Sequence, residues 1–126
     1  MLPPRARTLA PWLTAVASAI LLAGCHHTLT LGPATPVHVG LTEYHLVPQD
    51  VRVPGGTVIV DVHNYGRLTH NLVISVNGKP SGVTRPIPPG GSAVLDVFLA
   101  PGKYLMASTI LDDVPLGLYG TLTVTK

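Results

Sequence analysis

From residue 37 to the C-terminus, every apolar run is short and ends at a turn signal. Pro48, Pro54-Gly55-Gly56, Asn64-Tyr65-Gly66, Asn77-Gly78, Pro88-Pro89-Gly90-Gly91 and Pro101-Gly102 punctuate the chain. No stretch between them sustains an apolar period near 3.6 residues, so helices are excluded as the main element and short strands remain. The spacing predicts strands near 37–47, 51–53, 57–63, 70–76, 92–99, 103–109 and 119–125. Alternation marks their inner faces. Val58, Val60 and Val62 oppose Asp61 and His63; Leu72, Ile74 and Val76 share a face; Leu122 and Val124 oppose Thr121, Thr123 and Thr125. About seven half-buried strands in so short a span make a β-sandwich. The Pro/Gly-rich stretch from Asn77 to Ser92 reads as the connection that crosses between its sheets.

The N-terminus reads differently. Arg5 and Arg7 precede an apolar stretch from Leu9 to Leu22, broken by Pro11, and Leu22-Ala23-Gly24-Cys25 follows. Such a run falls short of the roughly 20 residues a spanning helix needs. Basic start, apolar middle and small-residue cleavage site mark 1–24 as a lipoprotein signal peptide, with Cys25 as the lipidated residue. Residues 25–36 then form a flexible tether, and 37–126 form the domain. The chain is expected in a bacterial cell envelope, lipid-anchored on the extracytoplasmic side of a membrane.

Charge and cysteine content narrow the function. Beyond residue 24 the acidic and basic residues balance, so the formal net charge of +2 belongs to the leader and nucleic-acid binding has no electrostatic support. Cys25 is the sole cysteine, which rules out a disulfide within the chain, and the core must hold the fold.

Two segments carry a resemblance. Asn64-Tyr65-Gly66 leads to His70-Asn71, and Pro101-Gly102-Lys103-Tyr104 leads by a loop to Gly120-Thr121-Leu122-Thr123-Val124. Together they resemble the cupredoxins, the plastocyanin-like blue-copper proteins, over most of 37–126. The resemblance implies a Greek-key β-sandwich. It also implies a metal site with its first ligand at His70, and Cys, His and Met ligands in the C-terminal loop. In a common version of the family pattern, counting from Tyr104 puts those three at Ser108, Asp113 and Leu118. Gly117-Leu118-Tyr119-Gly120 keeps the Gly-Met-x-Gly frame without its sulfur.

A type 1 copper centre depends on a thiolate, two imidazoles and a weak axial thioether. Serine is a poor ligand for soft copper, and leucine has no lone pair. No metal or other cofactor is therefore expected. His70 is expected to point inward as a buried imidazole hydrogen-bonded to Ser108, Asp113 or a carbonyl. A weak Cu(II) site on His70 and Asp113 is the alternative. The remaining histidines rank lower. His63 is placed on the exposed face, His38 and His45 on opposite faces of one strand, and His26-His27 in the solvated tether.

Ser108, His70 and Asp113 also supply hydroxyl, imidazole and carboxylate, but their convergence is explained by the ligand positions they occupy. No Gly-x-Ser-x-Gly elbow accompanies them, so no catalysis is expected. The expected function is a non-catalytic interaction module. Its binding surface lies on the loop around Asp112-Asp113, with Leu111, Val114, Leu116 and Leu118, and is expected to meet an envelope protein partner or a small ligand. These side chains have a second reading, as fillers of the space a metal would take.

Overall fold

The computed structural model describes residues 27–126. The leader, Cys25 and His26 lie outside the described residues. Ten strands and one helical turn follow: β1 Thr28–Thr30, β2 Val37–Thr42, β3 His45–Val47, β4 Asp50–Pro54, β5 Gly56–Asn64, β6 Val73–Val76, β7 Lys79–Val83, β8 Ser92–Leu99, β9 Gly102–Ala107, α1 Asp113–Leu116 and β10 Tyr119–Thr125. They form a six-stranded sheet ordered β1-β4-β10-β9-β6-β7 and a four-stranded sheet ordered β3-β2-β5-β8. The all-β sandwich expected from the turn punctuation is the observed fold.

The core is the set of inward faces that alternation identified. Val37, Val39 and Leu41 of β2 lie in register with Val60, Val62 and Asn64 of β5. Val58, Val60 and Val62 pack with Leu72, Ile74, Leu122 and Val124 in one buried cluster. Burying one such side chain is worth about 1.5–3 kcal/mol, and a single-residue slip would turn a whole strand's apolar set to water. Parallel pairs β2–β5 and β4–β10 tie distant parts of the chain together.

Four local expectations are corrected. Residues 28–30, read as part of a flexible tether, form β1 in parallel register with β4, and the Leu31 amide donates to the Arg52 carbonyl at 2.9 Å. Apolar Leu31 packs against the core, which offsets the entropy of ordering this stretch. Residues 37–47 are a hairpin, not one strand, with Thr42 paired to His45. The reversal puts His38 and His45 on the same outer face, because the chain folds back over itself. The connection from Asn77 begins with a strand: β7 pairs with β6 across the Asn77-Gly78 turn, and only 84–91 cross to the other sheet. The strand expected from residue 70 starts at Val73, and His70 is held instead by an isolated bridge to Ile87.

Candidate functional site

At one end of the sandwich, three segments meet around His70. The bridge to Ile87 fixes its backbone, with His70 N–H donating to the Ile87 carbonyl at 3.2 Å and Ile87 N–H returning to the His70 carbonyl at 2.7 Å. The imidazole is fully buried, at 0% exposure. Its Nδ1 lies 2.8 Å from Asp113 Oδ2 and its Nε2 lies 2.9 Å from Glu43 Oε1. The expected Asp113 partner is present; the Glu43 partner was not expected.

Asp113 opens α1 and is buried despite its charge. Burial of a carboxylate demands hydrogen bonds, and Asp113 Oδ2 receives the Ser108 hydroxyl as well as His70, the Ser108 contact being 2.5 Å. Ser108 also accepts the Asn71 amide at 3.3 Å. Asn71 completes the network through its Oδ1, which accepts the Thr109 amide at 2.8 Å, and its Nδ2, which donates to Thr109 Oγ1 at 3.0 Å. Among the described residues no buried side-chain nitrogen or oxygen lacks a hydrogen-bond partner.

Glu43 enters from the β2–β3 turn. Its Oε1 accepts the backbone amides of Arg67 and Leu68, each at 2.9 Å. These two amides, and then the His70 imidazole, hold its carboxyl down from an ordinary 4.5 to about 2, against a smaller opposing effect of burial. The Asn64-Tyr65-Gly66 turn is built for this contact. Asn64 Oδ1 accepts the Gly66 amide at 2.8 Å while its Nδ2 donates to the carbonyls of Leu68 and Ile87. A Cβ on Gly66 would run into the Glu43 carboxylate, so the turn needs glycine there for space. Glu43 carried no signal of its own in the sequence. An unexplained glycine in Asn-x-Gly was the one available hint that something approaches this turn closely.

The 110–118 loop divides into two parts. Leu118 is fully buried in the core and is not part of a binding surface, which corrects that expectation. Gly117, with φ of 116°, turns the chain inward after α1, and the Leu118 amide donates to the Asp113 carbonyl at 2.9 Å. Leu111, Val114 and Leu116 stay exposed, Leu111 at 92%. With Tyr44, Leu68 and Ile110, Leu111 and Leu116 line a recess of about 250 Å³ beside Asp113. Leu118 thus fills the interior while its neighbours face solvent.

The wiring decides the chemistry of the trio. A serine nucleophile needs its hydroxyl on the imidazole that takes its proton. Here the Ser108 hydroxyl meets Asp113, and Asp113 meets His70, so the carboxylate stands between them. Ser108 is itself fully buried.

A larger concavity lies elsewhere, on the outer face of the four-stranded sheet. This open groove of about 710 Å³ is lined by His38, Val47, Asp61, His63, Tyr65 and Val94 among others. Its polar groups are paired with each other: His38 Nδ1 lies 3.3 Å from Asp61 Oδ2, and His63 Nδ1 lies 2.6 Å from Ser92 Oγ. His63 is half-buried against the Tyr65 ring, not freely exposed as expected. The groove is larger, but the His70 end gathers the buried polar groups, and buried polar networks are where fold-specific chemistry sits.

No protein-family model and no curated protein matches the sequence. Solved structures do match. Auracyanin from the photosynthetic bacterium Roseiflexus castenholzii superposes with a TM-score of 0.66 at 21% identity, covering 74% of this chain and 98% of that one. Auracyanin A, a blue copper protein from the green thermophilic photosynthetic bacterium Chloroflexus aurantiacus, gives 0.62 at 15% identity over 79% and 100%. The fold is that of a cupredoxin. An azurin from Methylomonas sp. strain J agrees, at 0.63 and 13% identity over 74% and 99%.

Residues of this cupredoxin-like chain do not fit the copper centre its fold family implies. Both nitrogens of His70 are taken up by carboxylates, Asp113 Oδ2 is shared with Ser108, and Leu118 offers hydrocarbon. Glu43 and Asp113 approach the imidazole through different ring atoms, so the three groups do not point at one position. Among the described residues no set of three His, Cys, Asp or Glu side chains is arranged to hold a metal ion. Neither Ser108 nor Leu118 supplies the thiolate or thioether that soft Cu(I) favours.

Proposed function

We propose that this chain is a membrane-anchored extracytoplasmic lipoprotein whose cupredoxin-like domain has lost the type 1 copper site and acts as a non-catalytic binding module. Its docking surface is the apolar loop end formed by Leu68, Leu111, Val114 and Leu116, and its partner is a protein of the cell envelope. One observation carries this reading: exposed leucines lie over a polar network in which, among the described residues, no buried side-chain nitrogen or oxygen lacks a partner. The interior is saturated, so the end of the sandwich has its surface left to offer. A cluster of exposed large apolar side chains marks interaction sites more often than solvated surface. Anchoring rests on Cys25 and the segment before it, and the short span from Cys25 to β1 would hold the domain close to the bilayer.

The deciding experiment is a Cu(II) titration of the protein read by electron paramagnetic resonance beside His70→Ala. The expected result is no stoichiometric signal that depends on His70. A signal abolished by His70→Ala would overturn the reading and restore the rival, a copper-handling lipoprotein acting through His70 and Asp113. For the surface, Leu111→Asp with Leu116→Asp should leave the unfolding midpoint unchanged and reproduce the cellular phenotype that deletion of the protein causes. A fully active double variant would remove the loop end from consideration. Cys25→Ala should release the protein from the membrane fraction; retention there would argue for an uncleaved anchor.

A further inference from the structure

The hydrogen bonds at His70 fix how many protons the site holds. An ionised carboxylate only accepts, and each ring nitrogen of His70 faces one carboxylate oxygen, so each of the two contacts needs a hydrogen. At Nε2 the hydrogen must come from the ring. Glu43 Oε1 already accepts the amides of Arg67 and Leu68, and those bonds keep the carboxyl ionised far below neutral pH. At Nδ1 the choice follows from Ser108. Its hydroxyl has one proton and two neighbouring oxygens, Asp113 Oδ2 at 2.5 Å and Asn71 Oδ1 at 3.1 Å. The contact to Asp113 is much the shorter and its oxygen the stronger acceptor, so the hydroxyl donates to Asp113. Asp113 Oδ2 therefore acts as acceptor towards Ser108, and with the carboxyl ionised it accepts from His70 too, which places a hydrogen on Nδ1. Donors and acceptors then match along the whole line, from the Ser108 hydroxyl through Asp113 and His70 to Glu43 and the amides beyond it.

We infer that at neutral pH His70 is an imidazolium with a proton on each ring nitrogen, bridging two ionised carboxylates, and that these two protons tie together the end of the sandwich. The bridge joins the β2–β3 turn of one sheet to α1, whose loop connects two strands of the other. Three charges sum to one negative charge held under the exposed leucines. Glu43 and Asp113 are the titratable groups in contact with His70. The 65–69 turn contributes only the Arg67 and Leu68 amides, the 107–109 segment the Ser108 hydroxyl, and the bridging Ile87 its backbone. Among the described residues no lysine or arginine side chain is ion-paired with either carboxylate, so His70 is the cation that stands between them. A metal ion can reach a ring nitrogen only by displacing a proton and a carboxylate together.

The test is a long-range proton–nitrogen correlation spectrum of the histidine rings in the ¹⁵N-labelled full chain at pH 7. Both His70 nitrogens should show the shift of a protonated ring nitrogen, and one equivalent of Zn(II) should leave them unmoved. Glu43→Gln and Asp113→Asn, each checked for folding by its amide spectrum, should give up the second proton at lower pH than the parent. A lone-pair nitrogen on His70 at pH 7, displacement by Zn(II), or folded variants that titrate like the parent would each overturn the inference. If neither variant folds, the parent spectrum alone decides. The inference is independent of what docks on the loop. Copper bound elsewhere in a chain with doubly protonated His70 would sink the metal-free reading and leave this one standing, and a lone-pair nitrogen without metal binding would do the reverse.

Discussion

His70 and His38 each stand beside an aspartate, and the two pairs have little else in common. His70 and Asp113 are 0% and 6% exposed and meet at 2.8 Å; His38 and Asp61 are 77% and 39% exposed and meet at 3.3 Å. Water around the second pair screens the charges and solvates either partner when the other leaves. The first pair is buried, and both ring nitrogens of His70 and Asp113 Oδ2 are held by protein groups. The same two residue types are therefore a structural element in one place and surface decoration in the other. The difference lies in burial and in the partners of the partners: Ser108 and Asn71 stand behind Asp113, and two amides stand behind Glu43.

The strongest way to break this contrast is to remove one member of the buried pair. Asp113→Ala removes the partner of His70 Nδ1 and the shorter of the two Ser108 hydroxyl contacts, and breaking a buried pair costs about 3–5 kcal/mol. Urea unfolding followed by circular dichroism should show a midpoint well below the parent's. A loss under about 1 kcal/mol would put the buried pair on the level of a surface one. Leu118→Ala comes next. The side chain is fully buried in the core cluster, and its truncation should cost about 2–5 kcal/mol, according to how far the cavity collapses. A Leu118→Met variant should stay within about 1.5 kcal/mol, since the two differ little in volume. Adding the sulfur alone should not create a copper site, because Ser108 and Asp113 still lack the softness such a site needs.

How legible this was depended on the range of the signal. Alternation along one strand is local, so the inner faces of β5, β6 and β10, and the exact span of β8 over Ser92–Leu99, could be read from the chain. The inward turn of His70 and its link to Asp113 followed from the family resemblance and from strand parity. Glu43 could not be read. It reaches His70 only because residues 37–47 fold into a hairpin, and a continuous strand would have carried it elsewhere. The tight turn between Thr42 and His45 contains neither glycine nor proline, so no punctuation announced it. His38 and Asp61 met for a related reason: the parallel β2–β5 register places them side by side, and nothing in either segment alone encodes that register. Leu118 was misplaced because an apolar residue in a loop looks the same whether it faces solvent or the core. Only the left-handed Gly117 turn resolves which.

Acid sharpens the contrast next. The Glu43 carboxyl is held down from 4.5 to about 2 in the folded chain. A group depressed on folding stabilises the protein above its unfolded value, and that contribution is lost as pH falls through the folded value. Stability should therefore decline from pH 4.5 towards pH 2 as the Arg67 and Leu68 amides lose their charged acceptor. In Glu43→Gln that part of the slope should vanish, leaving a flatter acid limb measured by thermal unfolding across the same range. An unchanged slope would mean that Glu43 is not clamped in solution.

The smallest effect belongs to the outer face, and it completes the comparison. Asp61→Asn removes the charge beside His38 while keeping a side chain of the same shape on β5. Exposed pairs of this kind contribute about 0–1 kcal/mol, so the unfolding midpoint should move by no more than that, and less at high salt because screening already weakens the pair. His38→Ala should do as little, and the double variant should equal the sum of the singles, since a negligible coupling leaves nothing to be non-additive. The same cycle built on Asp113→Asn and Glu43→Gln should show strong coupling, because both act on the one imidazole. Additivity at the buried site, or coupling at the exposed one, would show that burial does not separate the two pairs.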